Sequence, residues 1–230
     1  MPAGTGRDVF ERFRSGLADA RCSTRTSQRW RQHYAGAATR LAKRDGQTLP
    51  VFAHVVDSLR SARLPTEYAL IPFVESGYRP QARNPAGPAG LWQFVAPTAR
   101  RLRIPMGTAG DGRLSPVEST RAAVEYLKLL HKRFGGDWRL AAMAYNAGEH
   151  RVAKALRSQK GAPGQTDPAS LEGIPGSTRA YVEKLDALAC VMDEASTRSE
   201  WLRALDRPVR RLDPRPGAAL PGAPTIPGRS

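Results

Sequence analysis

Residues 70 to 94, LIPFVESGYRPQARNPAGPAGLWQF, set a single carboxylate, Glu75, between two apolar stretches. Leu70, Ile71, Phe73 and Val74 precede it, and a run broken by proline and glycine leads away to Gly90, Leu91, Trp92, Gln93 and Phe94. Any fold must sequester this run while housing an acid inside it. A carboxyl group against apolar surroundings loses solvation in its charged form, so its pKa rises and it keeps a proton nearer neutral pH. Such a proton can be donated. The ordinary alternative, a helix C-terminal glutamate facing water, stays open on these residues alone.

Helical spacing dominates the rest of the chain. Val9, Phe10, Phe13 and Leu17 predict a helix over 8–20, and Trp30, Tyr34, Ala38 and Leu41 a second over 27–43, each with a basic outer face. A third is expected over 49–63 with Phe52, Val55, Val56 and Leu59 inward, before Leu64-Pro65 breaks the chain. Pro72, inside the apolar run, predicts a kink that aims Glu75. Between Tyr78 and Gly90 the composition reads as loop, Pro97 opens a short helix to Ile104, and 106–114 again reads as loop. Ser115, Pro116 and Glu118 predict a capping box opening a helix to Phe134, which Gly135-Gly136 end. Asp137 is placed as the cap of a helix reaching about Asn146, and 177–194 as the last long helix. Six prolines after Asp206 and few apolar residues predict a disordered tail over 206–230. The fold expected is mainly α, with an N-terminal helical extension over 1–47 and a main domain over 48–205.

The net charge of +15 points to polyanionic surroundings: nucleic acid, anionic lipid or bacterial wall. Arginine and lysine are scattered, and no basic run interleaved with aromatics marks a nucleic-acid groove, so nucleic acid is not expected as a partner. Electrostatic contact with anionic envelope polymers fits better. No apolar stretch is long enough to span a membrane, and MPAGTGRDVFERF has no apolar leader core. As written, the chain reads as soluble and without an export signal, so an envelope location would need a trimmed leader, an upstream start or another route of export. Cys22 and Cys190 permit one disulfide without arguing for it, and the apolar neighbours of Cys190 favour a buried thiol. The four histidines are dispersed without metal-ligand spacing, so no metal and no organic cofactor is expected.

Glu75-Ser76-Gly77 with Tyr78, Pro80 and Ala82, then Pro85-Ala86-Gly87 and Gly90-Leu91-Trp92-Gln93-Phe94, resemble the signature of family 1 lytic transglycosylases, whose wider relatives include goose-type lysozymes. Ala144-Tyr145-Asn146-Ala147-Gly148 and Thr178-Arg179-Ala180-Tyr181-Val182 resemble the family's second and third blocks. The lead-in before Glu75 is similar, more weakly, to that of the membrane-bound lytic murein transglycosylase D group. The resemblance implies a lysozyme-like catalytic domain with its groove between two lobes, acting on peptidoglycan glycan strands in the cell envelope, periplasmic or secreted. It implies Glu75 as the only catalytic acid and base. Asn84, Trp92, Gln93, Tyr145, Asn146 and Tyr181 would contact or flank the glycan, with both tyrosines near Glu75. Asn84 stands where the family often has serine, Pro88 where it has alanine, and Ser177 at a usually acidic position.

A conventional glycosidase pairs its acid with a second carboxylate. Glu67, Asp111, Glu118, Asp137 and Glu149 are available, none in a setting like that of Glu75. The resemblance supplies the alternative, in which the substrate's own acetamido group assists and one glutamate acts twice to give a 1,6-anhydro product. A lysozyme-type hydrolase and a non-catalytic wall-binding module are the competing expectations.

Overall fold

The computed structural model describes residues 4–19, 22, 26–44, 46–108, 110–159, 161, 163–164 and 167–213. Helices α1 (Gly6–Arg14), α2 (Gln28–His33), α3 (Gly36–Ala42) and α4 (Thr48–Ser61) lead to a 3-10 segment, Thr66–Leu70, and the short α5 (Ile71–Glu75). After a long loop come α6 (Ala96–Arg101), the strands β1 (Met106–Gly107) and β2 (Gly110–Asp111), and a 3-10 turn at Gly112–Leu114. The chain continues through α7 (Pro116–Arg133), α8 (Trp138–Ala147), α9 (Glu149–Ser158), α10 (Gly176–Ser196) and α11 (Ser199–Leu205).

One hydrophobic core joins the predicted N-terminal extension to the rest. Phe13 of α1 meets Phe52 of α4 at 5.4 Å between rings, and Phe10 meets Trp201 of α11 edge-on at 4.8 Å. The Trp201 indole N–H donates to the Ala38 carbonyl at 2.8 Å, so α1, α3 and α11 close on one another. Each such fully buried large side chain stabilises by roughly 1.5–3 kcal/mol. The division expected at residue 47 is therefore not a boundary in the core.

Several local expectations are corrected. The helix predicted over 27–43 breaks at Tyr34-Ala35 into α2, which buries nothing, and α3, which buries Ala37, Ala38 and Leu41. Pro72 kinks no helix. The segment before it is 3-10, and Pro72 sits in the first turn of α5, where a missing N–H costs nothing. Ser115 caps α7 at 3.3 Å from the Glu118 N–H, while the Glu118 carboxylate turns to Arg121 in place of a full box. Helices α9 and α11 and the hairpin at 106–111 are additions. The predicted tail is not free at its start: Val209, 3% exposed, donates its N–H to the Gly4 carbonyl at 2.9 Å, and Arg7 pairs with Asp206. Residues 214–230 lie outside those described.

Cys22 and Cys190 form a disulfide, overturning the buried thiol. It ties the segment before α2 to α10, the helix that carries Tyr181.

Candidate active site

Glu75 is the last residue of α5, half-buried, with Phe73 packed into the core beneath it. The chain then reverses through Gly77 and Tyr78, whose φ values are 61° and 60°. Three contacts fix this turn. The Ser76 hydroxyl donates to the Leu91 carbonyl at 2.8 Å, the Tyr78 hydroxyl to the Ala69 carbonyl at 2.8 Å, and Arg40 of α3 to the Gly77 carbonyl at 2.8 Å.

Tyr181, reaching in from α10, donates its hydroxyl to Glu75 Oε1 at 2.6 Å. Burial raises the Glu75 pKa above the ordinary glutamate value, against a lowering by the Tyr181 hydrogen bond and the charge of Lys184. No second carboxylate is among the groups that perturb it. Tyr34 is the unexpected neighbour. Its phenol is pushed up to about 12 by burial first and by the charge of Glu75 second, and it also bears on Tyr181. The Lys184 ammonium lies 4.7 Å from the centre of the Trp30 ring, so α2 packs against α10 beside the acid's lysine.

The 78–94 loop is fixed by a charged anchor. Arg113, 8% exposed, donates to the carbonyls of Gly87 and Phe94 at 2.9 and 3.0 Å and clasps Asp111 at 2.8 and 2.9 Å. Gly90 has φ 83°, and a Cβ there would meet the Arg113 carbonyl oxygen at 1.7 Å. Only glycine fits.

The other expected site residues fall into four groups. Tyr145 sits close enough to Glu75 to feel its charge, but its hydroxyl donates to the Trp92 carbonyl at 2.8 Å and so supports the loop. Gln93, at φ 51°, donates to Gly90 and Ala82 carbonyls at 2.8 and 3.4 Å, and Asn146 accepts from Thr178 at 2.9 Å, joining α8 to α10. Asn84 is exposed, its side chain accepting from the Ala86 N–H at 3.0 Å in a local turn. Trp92 is 1% exposed and donates its indole N–H to the Thr120 hydroxyl at 3.0 Å, within the framework behind the loop.

The five candidate second acids are engaged elsewhere. Asp111 is held below its ordinary value by the Arg113 hydrogen bond, Asp137 caps α8, Glu118 faces Arg121, and Glu149 lies 3.9 Å from Arg133. Glu67 is fully buried against the Asp19 N–H at 3.0 Å. Sequence reasoning missed Tyr34, Lys184, Arg40 and the Asp111–Arg113 pair. Lys184 alone left a local trace, one helical turn beyond Tyr181 on the same face.

A mainly helical domain with a half-buried acid that accepts a tyrosine hydroxyl and a Gly-Leu-Trp-Gln loop beside it defines a class. Residues 57–167 match the Transglycosylase SLT domain. It is 36% identical over 143 residues to membrane-bound lytic murein transglycosylase D of Escherichia coli (strain K12), covering 62% of this chain and 31% of that protein. Soluble lytic murein transglycosylase of the same strain is 31% identical over 128 residues, covering 53% of this chain and 20% of that protein. The chain thus spans about a third or less of these relatives. The solved 70 kDa soluble lytic transglycosylase from Escherichia coli superposes with TM-score 0.52 at 24% identity, covering 79% of this chain and 33% of that one, which places the fold as lysozyme-like.

Proposed function

We propose that this chain is a peptidoglycan lytic transglycosylase that cleaves the β-1,4 bond between N-acetylmuramic acid and N-acetylglucosamine. The observation that carries the reading is a half-buried glutamate, raised in pKa, bonded by Tyr181 and without a carboxylate partner among the described residues. Protonated Glu75 gives its proton to the glycosidic oxygen as that bond breaks, while the substrate's acetamido oxygen shields the anomeric carbon. The resulting carboxylate then takes the proton of the muramoyl 6-hydroxyl as O6 bonds C1, giving a 1,6-anhydro sugar with no water consumed. Tyr181 holds the carboxylate in one rotamer and stabilises its charged form between the two steps. Asn84, Gln93, Tyr145, Asn146 and Tyr181 are the residues we assign to the glycan side of the groove, with Trp92 behind them.

The site of action is the cell envelope. A disulfide suits an oxidising compartment, and no helix among the described residues is long and apolar enough to cross a membrane. Digestion of purified sacculi followed by mass analysis of the fragments tests the reaction. Anhydro products support it, and products heavier by one water assign a lysozyme-type hydrolase instead. Glycan binding with no soluble fragments assigns a binding module.

A further inference from the structure

Helix α9 turns Val152, Ala153, Ala155 and Leu156 into the core and exposes His150, Arg151, Lys154 and Arg157. At roughly 100° per residue these four fall within about 120° of the helix circumference. The one acid of the helix, Glu149, is half-buried and lies 3.9 Å from Arg133 at the end of α7. Arg151, Lys154 and Arg157 meet no carboxylate among the described residues. Elsewhere on the surface arginines are answered: Arg7 pairs with Asp206, Arg12 with Asp57 and Arg139 with Asp186. Before its contact with α9, α7 also exposes Lys128 and Lys132 without an ion pair among the described residues, its Glu125 being drawn to Arg121 at 3.8 Å.

A face of one sign works against its own helix. Cations three residues apart repel, and Arg151 stands in the first turn, where the helix dipole disfavours positive charge. A bound polyanion relieves both penalties. We propose that the outer face of α9 is a docking surface for an envelope polymer whose charges are phosphodiesters, such as a glycerol phosphate polymer. Arg151, Lys154 and Arg157 recur about every 4.5 Å along the helix axis, and a guanidinium fork takes two phosphate oxygens at once. A bilayer would call for apolar side chains on the outward face, and α9 keeps its own in the core. Single-stranded nucleic acid would call for stacking aromatics, and α9 carries no Trp, Tyr or Phe. The surface holds the enzyme against the polymer around its glycan, and this inference goes beyond the reaction proposed above without depending on its product.

The test titrates the full chain with a glycerol phosphate polymer at low and at physiological ionic strength. Binding should weaken as salt is added. Replacing Arg151, Lys154 and Arg157 together by glutamine should weaken it about tenfold at low salt, the sum of three exposed charge pairs, with circular dichroism unchanged. The control replaces Arg203, Arg210 and Arg211, three exposed arginines away from α9, by glutamine and removes the same net charge; its affinity should stay near that of the parent. Equal weakening by the two triple variants overturns the proposal, because net charge alone would then explain the binding. No measurable affinity in the parent, or an affinity indifferent to salt, also overturns it. Tighter binding to anionic lipid vesicles of matched phosphate content overturns it and reassigns the face to a bilayer. Turnover of polymer-free glycan strands by the α9 variant should match that of the parent, and a loss there would assign these residues to the groove instead. The reaction itself is judged separately, on product mass from the parent.

Discussion

Glu67 and Glu75 stand on one lead-in segment, both among apolar residues and both raised in pKa by burial, Glu67 to about 6. Their partners differ. Glu67, 2% exposed, accepts the Asp19 N–H at 3.0 Å and leaves Oε2 with no partner among the described residues. It holds the turn after α1 against α8, where Asp19 in turn accepts from Trp138 at 2.8 Å. Glu75 is half-exposed, faces three tyrosines and a lysine, and accepts a side-chain hydroxyl that can follow its change of charge. Burial raises a carboxyl's pKa in both places, so a raised pKa alone does not mark the catalytic acid. Access and a responsive donor do.

The largest expected separation between the two comes from Glu75→Gln, which removes the proton donor and acceptor. Turnover of sacculi should fall by about a thousandfold or more, with the fold intact by circular dichroism. A variant that kept a tenth of its activity would dissolve the contrast. Next in size, replacing Cys22 and Cys190 together by serine frees the segment before α2 from α10 and should lower unfolding stability by about 2–4 kcal/mol in denaturant titration. Because Tyr34 and Tyr181 stand on the two elements so joined, activity at 37 °C should fall along with stability.

Tyr181→Phe sharpens the contrast from the other side. Its hydroxyl stabilises charged Glu75, so its loss should raise the acid's pKa further and move the alkaline limb of the pH–rate profile upward. Turnover below that limb should drop about ten- to a hundredfold, since the carboxylate formed after the first step loses its donor. An unshifted limb would mean that the hydrogen bond does not set the acid's strength.

What could be read from the sequence follows the reach of each signal. Glu75 and Tyr181 stand in short motifs, and the Ser115 and Asp137 caps depend on neighbours within one helical turn, so their places were legible. Tyr34 was legible as a helical aromatic but not as a neighbour of Glu75, because only the break between α2 and α3 and the packing on α10 bring it there. The Arg113 anchor depends on a fit between loops distant in sequence, and nothing local distinguishes it from a surface arginine. The disulfide needed the spatial approach of its cysteines, 4.9 Å between Cα atoms. In the sequence Glu67 is only one of five available carboxylates. Its position in a 3-10 turn under the segment after α1 is a tertiary fact.

The smallest expected effect is the most specific to the pair. Glu67 has a folded-state pKa of about 6 against an ordinary value of 4.5, so its contribution to stability is fully present below the ordinary value and lost as pH rises through about 6. Glu67→Gln keeps an oxygen for the Asp19 N–H and does not titrate. Whatever its baseline, the stability of the variant relative to the parent should improve by on the order of 2 kcal/mol between pH 4 and pH 8, the energy of that pKa difference. Urea unfolding at the two pH values measures it. Turnover of sacculi should stay within about twofold of the parent, since a side chain 2% exposed and turned to α8 meets no substrate. If the relative stability did not move with pH while turnover collapsed, the roles of the two glutamates would have to be exchanged, and the groove would have to be sought on the face where Glu67, Trp138 and Arg139 meet.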